Sequence, residues 1–179
     1  MPEIILITGG ARSGKSALAQ QLGEARPAPR IYLATCPVLD DELRERIRRH
    51  REARGAGQWQ TIEETLDVAG VIRRENTVGV ILVECLTLWI NNLLHQAHSE
   101  ARAFTEADLD IALTRVLEEA RRRVGTTILV TNEVGLGIIP ENPLARRYSD
   151  LVGRCNQRVA RDADQVVLMV CGLPVYLKR

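Results

Sequence analysis

Residues Gly9-Gly10-Ala11-Arg12-Ser13-Gly14-Lys15-Ser16 constrain this chain more than any other stretch. They read G-x-x-x-x-G-K-S. Before them lies Ile4-Ile5-Leu6-Ile7-Thr8, an apolar, β-branched run of strand type. After them come Ala17 to Leu22, good helix formers with leucines four apart. Strand, glycine loop and helix in that order are the context of a phosphate-binding loop. Gly9 and Gly14 let the backbone turn tightly and aim N–H groups at phosphate oxygens, and the helix N-terminus adds partial positive charge there. Lys15 is expected to reach the β- and γ-phosphates, and the Ser16 hydroxyl to hold Mg²⁺. The loop predicts a nucleoside triphosphate as ligand.

The length, 179 residues, suits one nucleotide-binding domain over 1–179 with a real core. A net charge of +1 and 3% aromatic residues argue against a nucleic-acid partner. No apolar run approaches the roughly 18 residues of a membrane span, so no stable membrane insertion is expected. The N-terminus enters a strand without the basic and apolar regions of a signal peptide. Cys36, Cys85, Cys155 and Cys171 show no C-x-x-C spacing; they read as reduced thiols in a cytoplasmic protein, and zinc is not expected.

After a break at Pro27 and Pro29, Arg30–Thr35 reads as a second strand. Asp40-Asp41 caps an expected helix from near Glu42, in which Leu43, Ile47 and His50 share one face. A loop at Arg54–Gly57 leads to Trp59, and Thr65–Arg74 reads as a short helix. Val78–Val83 has the composition of a buried strand and ends at Glu84. Leu86, Ile90, Leu93, Leu94 and Ala97 form a helical stripe. Thr105 to Asp108 has the capping-box form and opens a helix with Leu109, Leu113, Val116, Leu117, Ala120 and Val124 facing inward. Thr127–Thr131 is a strand. Asn142-Pro143 starts a helix whose inner face is expected to carry Leu144, Tyr148, Leu151, Val152, Cys155 and Val159. Asp164–Val170 and Leu173–Leu177 complete the pattern. Alternating strands and helices predict a mostly parallel sheet covered on both faces, the last strand antiparallel. Ser16, Thr35, Glu84, Thr131 and Glu133 then fall at the carboxyl ends of strands, where such sheets bind ligands.

Four features carry competing readings. Glu84 is either a solvated strand-end carboxylate or an acid beside the Mg²⁺ site, acting through water or accepting a substrate proton. His50 is either a helix-end histidine or a nucleophile toward an α-phosphate, with Arg51 and Arg54 beside it to stabilise departing pyrophosphate. His95 and His98 read as an exposed pair rather than a metal site, and Arg121-Arg122-Arg123 as a solvated helix end.

The run Ile7–Ser16 resembles the signature of the bifunctional adenosylcobinamide kinase/adenosylcobinamide-phosphate guanylyltransferases of cobalamin biosynthesis. So do Tyr32–Thr35, Asp40–Glu42 with the helix to His50, Trp59 with Glu63, Leu82–Thr87, Val130–Asn142, and Arg154–Arg158 with Ala163-Asp164. The resemblance implies a RecA-like P-loop NTPase domain, commonly a homotrimer, and two reactions. ATP or GTP first phosphorylates the hydroxyl on the aminopropanol arm of adenosylcobinamide. GMP then passes from GTP to adenosylcobinamide phosphate through a covalent histidine-GMP, giving adenosylcobinamide-GDP and pyrophosphate. His50 occupies the place of that histidine. Ala34, Thr35, Cys36, Arg51, Glu52, Ala53, Arg54, Glu63 and Glu84 fall where the family holds its guanine nucleotide. Arg49 stands where other members carry a second histidine. A single-function P-loop small-molecule kinase is the competing expectation.

Overall fold

The first strand of the sequence becomes an interior strand of the sheet. The computed structural model describes residues 1–37, 59–76 and 79–179. Within them, β1 (Pro2–Gly9), β2 (Arg30–Ala34), β3 (Gln60–Glu63), β4 (Val80–Glu84), β5 (Gly125–Val130), β6 (Gln165–Val170) and β7 (Leu173–Lys178) form one seven-stranded sheet. Its order is β3-β2-β4-β5-β1-β6-β7, all parallel except the antiparallel β6–β7 pair. The helices are α1 (Lys15–Glu24), α2 (Val68–Arg74), α3 (Leu86–Ser99), α4 (Glu106–Arg122) and α5 (Pro143–Asp162).

Continuous apolar strands are required because both faces are covered. Side chains alternate across a strand, so Ile5 and Ile7 point into one layer with Tyr32, Leu82, Ile128 and Ala19 of α1. Ile4 and Leu6 point into the other with Leu33, Ile81, Val83 and Leu129, under α2 to α5. Among the described residues, α1 lies over the first face, joined by Trp59 and by Leu88 from the first turn of α3. The helix starts follow their expected chemistry. Thr105 and Asp108 exchange side-chain and backbone bonds in a complete capping box, and Asn142 accepts from the Leu144 and Ala145 N–H groups with Pro143 at the first helical position.

Several expectations need correction. β3 was not foreseen: Gln60–Glu63 is too short and too polar to show a strand period, and it is an edge strand paired only with β2. α2 starts at Val68, where the Asp67 side chain accepts the Gly70 N–H, three residues later than expected. Val124 lies beyond the end of α4 and is half exposed, and Leu144 sits 65% exposed in the first turn of α5, before the inward stripe begins. The expected helix to His50 and the loop Arg54–Gly57 lie outside the described residues.

Candidate functional site

β1 ends where the glycine loop begins, and two close approaches explain its glycines. Gly9 has φ 148°, and a Cβ there would sit 2.5 Å from the Met169 carbonyl oxygen of β6. Gly14 has φ 100° and starts α1 with the Gly172 Cα close by. Both conformations favour glycine strongly. The Gly172 N–H donates to the Ser13 carbonyl (3.0 Å), so the β6–β7 turn braces the loop from one side. The Glu133 N–H donates to the Gly9 carbonyl (3.1 Å), bracing it from the other. Gly10, Ala11 and Arg12 are exposed at the loop's crest, Arg12 in the left-handed region at φ 57°. Ser13 is buried beneath them.

Lys15 is buried and folded back onto its own loop, its Nζ donating to the Gly10 carbonyl (2.6 Å) with Ser13 Oγ at 3.5 Å. Burial lowers its pKa, while the nearby Cys85 and Glu84 groups oppose that shift. The Ser16 hydroxyl donates to Glu84 Oε1. The other carboxylate oxygen, Glu84 Oε2, is buried and has no hydrogen-bond partner among the described residues. A buried carboxylate oxygen left unsatisfied next to a hydroxyl, at the foot of a phosphate cradle, is a hard-oxygen donor set of the kind Mg²⁺ prefers. The residues present therefore fit that ion.

The tips of β3, β2 and β4 lie side by side. Ala34 pairs with Glu63 on one neighbour and with Glu84 on the other, so the two carboxylates end strands on either side of it. Two strand spacings separate them, about 10 Å. Trp59 pins the entry to β3: its indole N–H donates to Glu24 of α1 (3.1 Å), and its ring meets Tyr32 edge-on. Thr35 is fully buried, and its hydroxyl both donates to the Cys85 carbonyl (2.8 Å) and accepts from the Cys85 N–H (2.7 Å). Its side chain locks β2 to β4 rather than facing outward. Cys36 is half-buried at the same edge. His50, Arg51, Glu52, Ala53 and Arg54 lie outside the described residues.

Sequence reasoning missed a row of polar side chains behind this edge. Asn92 of α3 donates to the Thr35 carbonyl (2.8 Å) and the Thr65 carbonyl (3.1 Å), tying together the segments that follow β2 and β3. Thr131 donates to Asn156, Asn156 to the Asn132 carbonyl, and Asn132 to the Thr87 hydroxyl, which also contacts the Cys85 thiol. Tyr148 donates to the Thr87 carbonyl, and burial pushes its pKa up to about 12. The only sequence signal for this row is polar residues interrupting inward helical stripes. Arg123, expected in solvent, is buried and donates to the Thr126 and Gly79 carbonyls at the opposite end of the sheet. His95 and His98 are exposed, and no cluster of three or more His, Cys, Asp or Glu side chains occurs around them among the described residues.

The family model described as cobinamide kinase / cobinamide phosphate guanyltransferase matches residues 5–177. The bifunctional adenosylcobalamin biosynthesis protein CobU of Salmonella typhimurium is 41% identical, over 98% of this chain and 99% of that protein. The corresponding CobP of Pseudomonas aeruginosa is 41% identical over 97% and 96%, and CobU of Escherichia coli 38% over 98% and 99%. Among solved structures, the flagellar accessory protein FlaH of Methanocaldococcus jannaschii superposes with a TM-score of 0.54 at 15% identity, covering 99% of this chain and 78% of that one. A type III secretion system ATPase superposes with a TM-score of 0.57 at 12% identity, covering 94% and 51%. These two likenesses concern the fold alone, a RecA-like P-loop NTPase domain with a mostly parallel sheet.

Proposed function

This chain belongs to the cobinamide kinase / cobinamide phosphate guanyltransferase family and is a bifunctional transferase of cobalamin biosynthesis, and we propose how its residues divide the two reactions. The observation that carries the phosphoryl-transfer part is the Ser16–Glu84 pair at the foot of the glycine loop, with one carboxylate oxygen still unsatisfied. The curated relatives are named bifunctional, which leaves the single-function kinase without support.

In the first reaction Gly9 to Ser16 hold the triphosphate of ATP or GTP. Lys15 leaves the Gly10 carbonyl to meet the β- and γ-phosphates, where its charge offsets the negative charge of the transition state. The acceptor oxygen of adenosylcobinamide bonds to the γ-phosphorus as the bridging P–O bond breaks, and Glu84 takes the hydroxyl proton. Ser16 would hold Mg²⁺, with Glu84 behind it through water, and the ion would supply charge neutralisation at the phosphates. In the second reaction a His50 nitrogen bonds to the α-phosphorus of GTP, and pyrophosphate leaves. A phosphate oxygen of adenosylcobinamide phosphate then displaces the histidine, giving adenosylcobinamide-GDP. The guanosine half rests against Ala34, Cys36 and Glu63, with Thr35 fixing that edge from beneath and Arg51 and Arg54 on the phosphates.

This reading includes a homotrimer, for which the exposed Leu173, Val175 and Leu177 of edge strand β7 offer surface to a neighbour. It places the reactions in the cytoplasm, in keeping with four free cysteines, and involves no nucleic acid. Among the described residues no helix is long and apolar enough to cross a membrane. The test is incubation with α-labelled GTP. The wild-type chain is expected to form an acid-labile, base-stable adduct. His50→Ala is expected to lose it while keeping most phosphorylation of adenosylcobinamide from γ-labelled ATP. Undiminished labelling of His50→Ala would remove the assignment.

A further inference from the structure

The segment between β5 and α5 carries three large aliphatic side chains that the fold does not bury. Leu136, Ile138 and Ile139 are 84%, 97% and 78% exposed, close together in one loop. Apolar surface concentrated in this way marks an interaction site more often than scattered single residues do.

Hydrogen bonds hold the loop at both ends. At its start the Glu133 N–H is bonded to the Gly9 carbonyl, and the Glu133 carboxylate accepts the Gly135 N–H (3.1 Å). At its end Arg146 donates to the Pro140 carbonyl (2.9 Å) and the Glu141 carbonyl (2.5 Å), and Asn142 caps α5. The aliphatic side chains are thus displayed on a braced segment.

Strand order says what this segment faces. β5 lies between β4, which ends in Glu84, and β1, which ends in the glycine loop. The chain leaving β5 therefore rises beside both the group proposed to accept the proton and the group that holds the triphosphate. Leu136 is three residues past the Glu133 anchor, and three extended residues reach at most about 11 Å. The guanosine half is on the other side of Glu84, at the tips of β2 and β3. What must approach from the β5 side is the phosphoryl acceptor.

The acceptor's chemistry matches the surface. Cobinamide is a broad macrocycle with methyl-bearing apolar faces and an uncharged rim of amide arms. Phosphates and guanine make no use of exposed leucine and isoleucine, whereas a corrin face does. Gly135 and Gly137, both exposed, leave peptide groups uncovered between the aliphatic residues, within reach of amide arms.

We infer that Leu136, Ile138 and Ile139 form the ledge on which the corrin ring of adenosylcobinamide and of its phosphate rests, with the aminopropanol arm directed to the space between Lys15 and Glu84. The inference rests on the cobinamide reading given under Proposed function. It assigns the same ledge to both reactions, because the acceptor differs between them only by one phosphate.

The test uses the full chain with Leu136→Ser and Ile138→Ser, singly and together. Both sites are exposed, so thermal unfolding is expected to match the wild type. Loss of apolar contact at two such residues raises KM for adenosylcobinamide in the kinase step, and for its phosphate in the transfer step, by about tenfold or more. Labelling by α-labelled GTP alone, which needs no corrinoid, stays at the wild-type rate, and the sedimentation coefficient is unchanged. Unchanged corrinoid KM in an active double variant overturns the inference and leaves the family activity standing. A drop in sedimentation coefficient together with lost GTP labelling also overturns it, because the loop is then a contact between copies of the chain. A wild-type chain that labels with GTP yet neither binds nor phosphorylates adenosylcobinamide overturns both this inference and the reading beneath it.

Discussion

The two halves of the candidate site are built from different material. The phosphate half, at the tip of β1, is made of backbone: glycines at φ 148° and 100°, and carbonyls of Gly9, Gly10 and Ser13 that bind Glu133, Lys15 and Gly172. The half proposed for the nucleoside, at the tips of β2, β3 and β4, is held together by side-chain bonds to distant partners, chiefly those of Thr35 and Asn92. A backbone site depends on a few local residues and tolerates little change in them. A side-chain site distributes its geometry over distant partners, so single losses there should be graded.

The largest effect is expected at Lys15, the one side chain the backbone half cannot replace. Lys15→Ala should lower kcat for phosphorylation by about 10²–10³-fold, read from γ-labelled ATP, without loss of the folded state. Gly9→Ala comes next. Its Cβ would meet the Met169 carbonyl in a strained conformation, so both nucleotide affinity and stability should fall, the latter by about 1–3 kcal/mol in a urea titration. A tolerated Gly9→Ala would break the contrast between the halves. Thr35→Val leaves the buried Cys85 N–H without its acceptor and should cost about 1–3 kcal/mol. Asn92→Ala removes two carbonyl contacts and should cost about 1 kcal/mol each at most, but it should raise KM for GTP in the transfer reaction more than KM for ATP in the kinase step. Equal changes in the two values would show that Asn92 merely supports the fold.

The smallest effect is at Asp164, below both halves. Bonds from Arg121, and then from the Ile4 N–H, hold its carboxyl below the usual aspartate range. Its contribution is therefore complete above the unfolded value of about 3.9 and is lost as pH falls through the lower folded value. Asp164→Asn should lower stability modestly at pH 7, where that contribution is complete, and flatten the decline below about pH 4, the two chains converging in acid in urea titrations.

The same contrast explains what the sequence made legible. The glycine loop, the parallel sheet and the capped starts of α4 and α5 are written in local spacing, and each was readable from consecutive residues. β3 was not, because an edge strand of four residues that includes Gln60 and Glu63 owes its existence to the neighbouring β2. Arg123 and Leu144 went wrong in opposite directions for one reason. Helical periodicity says which residues share a face, but not where the face stops being covered. Asn92 and Asn156 have partners 57 and 24–25 positions away, and no local pattern announces such bonds.

The brace of Gly172 on Ser13, and the bond from the Ile4 N–H to Asp164 across 160 positions, also have a consequence for how the molecule is made. β1 is synthesised before every other described strand, yet one of its two flanking strands, β6, follows only after β2 to β5. Sheet closure around the phosphate loop is therefore a late, long-range event, and topologies of this kind fold slowly. Until the β6–β7 hairpin docks, a growing chain presents an open β1 edge of five apolar or threonine residues, Ile4 to Thr8, a surface for wrong pairing. The loop that defines the enzyme is thus made before the strand that finishes it, β6.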